Sequence, residues 1–396
     1  MFGRKRASLL LAGILALMLV AAACGEDDGD GGGGGGDGGE ETGAAGGEGS
    51  IWVLLPDTAS SDRWEKDDRR FFGQFFEDAG LAEGDDFTIV NAEGDASTQQ
   101  SQAEQAIADG ASVIVLTSLD TGSGATIIDQ AKEAGVEVVE YDRFNTGGSG
   151  GAAYISFDNV QVGATMAEIL EPEIEALPDT PRVVMLNGGE EDNNSFLFKQ
   201  GYEATVTEHV DGGDWELAAD QFVPGWDNQE AQTIMEQILV DESNDIDAVF
   251  AANDGLAQST INALQAAGVG PVPLSGQDAT AAGIQNILLG LQTMTVYKPI
   301  EAEAAVAAAV ALALRAGEDI SSVETEFEYS LIGINSADGQ PSDSAEGDGI
   351  VPYFALVPIG VTADNIADTV IADEFRTVEE ICVGDVAESD FCQENA

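Results

Sequence analysis

The sequence predicts an α/β protein built from two doubly wound parallel-sheet lobes. Three observations lead there. Short apolar runs alternate with stretches of helical periodicity along the chain, a pattern that specifies parallel sheets covered by helices on both faces. Polar residues, Gly or Pro close most apolar runs. The chain of 396 residues is long enough for two domains.

The alternation begins at Ile51 to Leu55, a continuous apolar run bounded by Pro56 and Asp57 and so a buried strand. A helix over 63–79 follows, with Trp64, Phe71, Phe72, Phe75 and Phe76 at helical spacing. Strands are expected at 87–90, 113–116 and 136–140, separated by helices at 98–108 and 124–134. Gly135 stands where a helix stops before a strand. After a strand at 154–157 a second series runs: helices at 160–177, 194–209, 228–239, 256–267 and 281–289, with strands at 182–186, 215–222, 248–251, 272–275 and 292–297. An Ala-rich helix over 299–316 is too short and weakly apolar to span a membrane. Residues 336–349 are acidic and aperiodic, so a surface loop.

The N-terminus has a different character. Arg4, Lys5 and Arg6 precede an apolar run from Leu9 to Val20 and the small residues Ala21 to Ala23, which together read as a secretory signal over 1–23. Cys24 follows directly, the position that lipoprotein processing would leave as a lipidated first residue, anchoring the protein to the cell membrane without spanning it. The next stretch, to about residue 50, is almost wholly Gly, Asp, Glu and Ala and cannot bury apolar area, so it reads as a flexible charged linker. Its acidic cluster from Glu26 to Asp30 lacks the alternating ligand spacing of a calcium loop.

Charge excludes several functions. The chain carries 73 acidic and 14 basic residues, net −59. Loss of the signal would remove three basic residues and no acidic ones, leaving 73 against 11. Such a field repels nucleic acid and anionic lipid surfaces, and argues against phosphorylated or polycarboxylate ligands. Adaptation to salty surroundings accounts for the bulk charge. An average chain of this length would hold roughly 45 Lys and Arg, so the few that persist are enriched for tasks that need a cation. With Cys24 assigned to lipid, Cys382 and Cys392 remain as a pair in the tail; an oxidising compartment favours a disulfide over a metal pair.

Ligands of parallel sheets bind beyond the carboxyl ends of the strands. That rule selects Asp57 to Trp64, Asp142-Arg143, Asp192 to Asn194, Asn253-Asp254, Gln277-Asp278 and Lys298. Carboxylates, amides and cations of this kind suit hydroxyl groups, which both donate and accept. Trp64 and Trp226 stand beside the set, one in each expected lobe, and offer flat faces to the C–H side of a sugar ring.

The segments Asp62 to Asp67, Tyr141 to Arg143, Ile155 to Asn159, Asp192 to Asn194, Gly225-Trp226, Ala252 to Asp254, Ser275 to Ala279 and Gln292 to Pro299 occur in an order that resembles the periplasmic sugar-binding receptors related to the ribose and galactose receptors, xylose-binding members above all. The resemblance spans about 51–374 and is more specific for the family than for the sugar. It implies a clamshell of two lobes joined by a three-crossover hinge: 51–156 plus 298–330, and 157–297 plus 331–375, followed by a tail over 376–396. It implies hydrogen bonds to sugar from Arg63, Asp142, Arg143, Asn194, Asn253, Asp278 and Lys298, and a ring held between Trp64 and Trp226. Asp192 and Asp158 are secondary candidates for sugar contact, with fixing a loop or the hinge as the alternative for each. The implied partners are a monosaccharide (D-xylose or a related aldose) and an ABC permease, with no cofactor, no metal and no nucleic acid, the protein acting as a monomer. The linker, the acidic loop and the cysteine-bearing tail depart from the family pattern.

Rival functions fare worse. His209, the one histidine, falls at a helix end away from the polar tips, which removes Ser/His, Cys/His and His–metal arrangements. Asp142, Asp254 and Asp278 could in principle form a glycosidase carboxylate pair, but neighbouring cations would hold them ionised, which is poor for a general acid. A transcription regulator of this architecture needs a basic N-terminal module, not a signal and an acidic chain. A receptor that signals to a membrane sensor remains open beside the importer reading.

Overall fold

The computed structural model describes residues 49–323, 325, 328–333 and 350–395. The expected signal, Cys24, nearly all of the linker and the loop at 336–349 lie outside these residues.

The first lobe is a seven-stranded sheet. In chain order its strands are β1 (Ser50–Leu55), β2 (Phe87–Asn91), β3 (Ala111–Leu116), β4 (Glu137–Tyr141), β5 (Ala153–Phe157), β10 (Glu328–Gly333) and β11 (Ile350–Leu356). Across the sheet the order is β10-β11-β5-β4-β3-β1-β2. Every pairing is parallel except β10 with β11. The sheet is apolar on both faces because both are covered. Ile51, Val53 and Leu55 of β1 join the core under α1 (Arg69–Asp78) and α9 (Ile300–Arg315), whereas Trp52 and Leu54 join the opposite core under α2 (Ala96–Ala108) and α3 (Thr121–Glu133). Phe72 and Phe76, four apart on α1, stack at 5.9 Å inside the first of these cores. That helix is entered through a π-helical turn at Trp64–Asp68, an irregularity that often accompanies a functional site.

The second lobe is wound the same way. Strands β6 (Arg182–Asn187), β7 (Glu216–Phe222) and β8 (Ala248–Ala251) form a parallel sheet in the order β7-β6-β8. Isolated parallel bridges Val249–Leu274 and Gln277–Val296 carry it across to β9 (Thr295–Tyr297), which pairs antiparallel with β12 (Ile359–Val361). The strand expected at 272–275 is thus reduced to a bridge. Helices α4 (Asn159–Glu175) and α5 (Asn193–Gly212) pack closely; a Cβ on Gly163 would lie 1.9 Å from the carbonyl oxygen of Phe198. Helices α6 (Asn228–Asp241), α7 (Asp254–Ala267) and α8 (Ala281–Leu288) complete the lobe.

The chain passes between lobes three times: from β5 to α4, from β9 to α9 and from β11 to β12. The crossovers touch, Asp158 N–H donating to Leu356 O at 2.9 Å and the Tyr353 hydroxyl to Phe157 O at 2.6 Å. One expected boundary is corrected. The expectation puts 331–375 in the second lobe, but β10 (Glu328–Gly333) and β11 (Ile350–Leu356) extend the first sheet through the β11–β5 ladder, so the passage to the second lobe falls at 357–358. In the tail, Cys382 and Cys392 are joined as a disulfide. The tail is fastened to the second lobe by the Gln285 amide of α8, which donates to the carbonyls of Glu380 and Ile381 in α10 (Val378–Ile381).

Candidate ligand-binding site

The carboxyl ends of both sheets face one cleft, whose free space, counted together with the solvent at its mouth, is about 330 Å³. Its wall contains all nine principal candidates: Arg63, Trp64, Asp142, Arg143, Asn194, Trp226, Asn253, Asp278 and Lys298. Asp192 lines it too. Asp158 does not; its carboxylate caps α4 by accepting from Gln161 N–H at 2.9 Å, and its backbone serves the hinge. Asp158 thus lies outside the cleft lining and serves the α4 cap and the hinge.

Asp142 is the hub. It follows β4 with φ of 61°, a left-handed conformation that Asp tolerates better than most residues. Its Oδ2 accepts from Arg63 Nη1 and Lys298 Nζ, each at 2.9 Å. Its Oδ1 accepts from Asn194 Nδ2 at 3.1 Å, across the lobes. Burial opposes ionisation of this carboxyl, but the charges of Lys298 and Arg63 outweigh it and hold the group well below the usual carboxylate range.

The structure gives Arg63 and Asn194 work that differs from direct ligand binding. Arg63 forks onto Asp68 through Nε and Nη2 at 3.0 and 2.8 Å, reaches Asp142 through Nη1, and touches Glu303 at 3.0 Å. Four of its five N–H groups are thereby committed, leaving one on Nη1. Asn194 uses both amide hydrogens on Asp142 and accepts from Asn159 Nδ2 at 3.0 Å. These two residues chiefly set the shape and charge of the wall.

Other groups remain uncommitted. Asp278, only 7% exposed, has no side-chain hydrogen bond among the described residues and projects from a loop where Asp278 and Ala279 both have positive φ, 92° and 45°. Lys298 has two further N–H donors beyond the one on Asp142. Arg143 is held through Nη1 on Ser118 O at 3.0 Å and pairs with Asp192 at 3.1 Å. Asn253 caps α7 with its Oδ1 and gives one N–H to Ser60 O at 3.3 Å. The indole N–H of Trp226 and the Oε1 of Gln277 are buried without a partner, which in a lined cleft marks where a ligand's polar atoms would complete the bonding.

The two indoles sit on this one cleft. Trp64 lies under the Arg63 guanidinium at 4.1 Å and bonds Ser60 Oγ at 3.4 Å. Trp226 sits on a short 3₁₀ turn, Pro224–Trp226, with φ of 54°. Gly188 makes room for it, since a Cβ there would lie 2.1 Å from the indole. Among the ionisable lining residues three cations (Arg63, Arg143, Lys298) face three carboxylates (Asp142, Asp192, Asp278). The wall is balanced although the chain is strongly acidic.

Ser60, Ser61 and Gln277 line the cleft within the selected strand-end segments, though none was singled out for a sugar contact. Sequence reasoning missed Phe198 as a lining residue, and Asp68 and Glu303 beneath Arg63. A signal for the last two existed. Asp68 falls on the buried stripe of the first helix with Phe72 and Phe76, and Glu303 on that of α9 with Ile300 and Ala307. An acid on an apolar stripe calls for a buried cation. Phe198 shares a face with Asn194, one turn earlier on α5. His209 lies outside the cleft lining, paired with Glu171 at 2.8 Å and stacked on Trp215 at 4.1 Å.

Two α/β lobes hinged by three crossovers, with polar strand tips meeting across the gap, define a clamshell binding protein. The chain belongs to the periplasmic binding protein domain family, whose model matches residues 52–319. It is 35% identical over 328 residues to the D-xylose-binding periplasmic protein of Escherichia coli, covering 82% of this chain and 90% of that one. Identity to the Haemophilus influenzae protein of the same description is 34%, covering 83% and 91%. A multiple sugar-binding periplasmic protein of Azospirillum brasilense is 26% identical, covering 83% and 90%. Among solved structures, an ABC transporter solute-binding protein of Clostridium phytofermentans with bound β-D-glucose superposes with a TM-score of 0.71 at 25% identity, covering 84% of this chain and 99% of that one.

Proposed function

We propose that this protein is an extracytoplasmic receptor that holds one monosaccharide, D-xylose foremost, between its lobes and delivers it to an ABC-type permease. The observation that carries the reading is the set of uncommitted polar atoms around a charge-balanced cleft. The Asp278 carboxylate accepts, Lys298 Nζ and the Trp226 indole N–H donate, and both indoles present apolar faces. A neutral ring of hydroxyls satisfies such a set; an anionic ligand would have no surplus cation to meet it. The two D-xylose-binding relatives, each matched over most of both chains, favour xylose. Closure of the lobes over the sugar shifts an open–closed equilibrium, and the permease recognises the closed form. The sequence around Cys24 supports a lipid anchor on the outer side of the cell membrane. No catalysis is assigned: the cleft carboxylate Asp142 is held ionised by its cations, which suits binding and not proton donation.

A second reading, a receptor of the same fold for another aldose (glucose, galactose, arabinose or ribose) that signals to a membrane sensor, draws on the multiple sugar-binding relative and the glucose-bound structural neighbour. A calorimetric panel of these five sugars, with the radius followed by small-angle scattering, separates the two as far as the ligand goes. Xylose is expected to bind tightest and to shrink the particle. No heat and no change in radius with any of the five would overturn the sugar reading. Co-purification with a permease, as against a sensor ectodomain, decides the partner.

A further inference from the structure

Outside the cleft, and among the described residues, one buried ion pair spans the lobes, its cation coming from the tail. Arg376 is 8% exposed and Asp67 is 3% exposed. Arg376 Nη1 lies 3.3 and 3.1 Å from the two carboxylate oxygens of Asp67, in the π-helical turn that follows Arg63 and Trp64. Its Nε donates to Ala279 O at 3.1 Å, in the loop that presents Asp278. The guanidinium is held over the Phe375 ring at 3.8 Å, and Phe375 packs on Tyr297, the residue before Lys298, at 4.9 Å. One side chain thus touches the mounts of pocket residues from both lobes without lining the pocket.

We propose that Arg376 is a positioning residue for ligand capture, pinning the Asp278 loop and tying the second lobe to the helix entrance that carries Arg63 and Trp64. This rests on the sugar-receptor reading and adds to it a determinant outside the site. The charge balance of the seam explains the need for it. Asp67 and Glu301 come from the first lobe and Asp373 and Glu374 from the end of the second, just before the tail; Arg70, half exposed and 3.4 Å from Asp67, is the other cation there among the described residues. Closing two strongly acidic bodies brings like charges together, and a buried cation shared between them offsets that repulsion where solvent screening is weakest. Burial pushes the Asp67 carboxyl up, and Arg376 opposes that push. The Gln285 bonds hold the tail beyond Arg376 on the second lobe, and the disulfide closes that tail on itself.

The test is sugar binding by stopped-flow tryptophan fluorescence on the full mature chain, comparing Arg376→Gln, Arg376→Lys, Asp67→Asn and the double variant Arg376→Gln/Asp67→Asn. Loss of one member of a buried interlobe pair acts mainly on dissociation. Arg376→Gln and Asp67→Asn are each expected to release D-xylose about tenfold faster with little change in association. The double variant should be no worse than the singles, and Arg376→Lys should recover part of the loss. Wild-type release rates, a changed thermal midpoint with unchanged release, or strictly additive losses in the double variant would each overturn the proposal. A wild type that binds none of the five sugars defeats the functional reading instead, so the two failures are distinct.

Discussion

Lys298 Nζ lies 2.9 Å from Asp142 Oδ2, joining the second crossover to the tip of β4. The pair is buried on both sides, at 4% side-chain exposure each, so the charge of the hub is coupled directly to the hinge. Lys298→Met would leave Asp142 with Arg63 as its remaining cation on Oδ2 and would remove two N–H donors from the cleft. Calorimetry should record a loss of about 2–5 kcal/mol in ligand affinity. An unchanged affinity would remove Lys298 from the site.

Trp226→Ala and Asp278→Ala are each expected to weaken binding by about 2 kcal/mol or more, the first by removing an indole face, the second by removing the free acceptor. Lys132→Ala serves as the control. Its Nζ holds the carbonyls of Ser149 and Gly150 and takes no part in the cleft lining. Equal losses from all three variants would dismantle the assignment of pocket residues.

Stability should depend on pH through Asp254. Burial, aided by the nearby Asp278 charge, pushes its carboxyl up from 3.8 to about 7 in the folded protein. The unfolded chain ionises first, so this contribution is whole below about pH 4 and is lost as pH rises through about 7. Asp254→Asn keeps an acceptor for Thr280 N–H and the Thr280 hydroxyl, which bond Asp254 Oδ2 at 2.9 and 3.0 Å. Urea midpoints at pH 5 and pH 8 should therefore converge in the variant relative to wild type. Parallel pH profiles for the two proteins would exclude Asp254 as the titrating group.

The Cys382–Cys392 bridge closes a short loop at the chain end. Replacing both residues with Ser should cost about 2–3 kcal/mol on a chain-entropy estimate, confined to the tail. Hydrogen exchange would read this as faster opening of 378–392 with unchanged protection in β1 and β3. Loss of protection throughout the molecule would mean that the tail is part of the global folding unit.

Much of the fold was legible because βαβ units write their two periods directly into the chain. The strand-end rule then found the cleft residues without coordinates, since a parallel sheet puts every carboxyl end on one side. The lobe boundary near 331 was not legible, because β10 and β11 carry no such alternation and their allegiance depends on β5, nearly 200 residues earlier. The rule selected Arg63 but gave no sign that most of its N–H groups go to Asp68, Glu303 and Asp142, the first two being acids hidden on otherwise apolar helix stripes.

Periodicity, charge and order along the chain are local properties, so the two-lobed α/β architecture, the acidic charge, the strand-tip residues and the two indoles were all legible before any coordinates. Tertiary structure alone decided which of those tips keep polar atoms free, which serve as struts, and that Arg376 of the tail reaches Asp67 across the seam. Those outcomes depend on distances between residues remote in sequence, and on the positive φ at Asp142, Trp226 and Asp278. Such backbone conformations are imposed on Asp and Trp by surrounding packing, not by intrinsic preference.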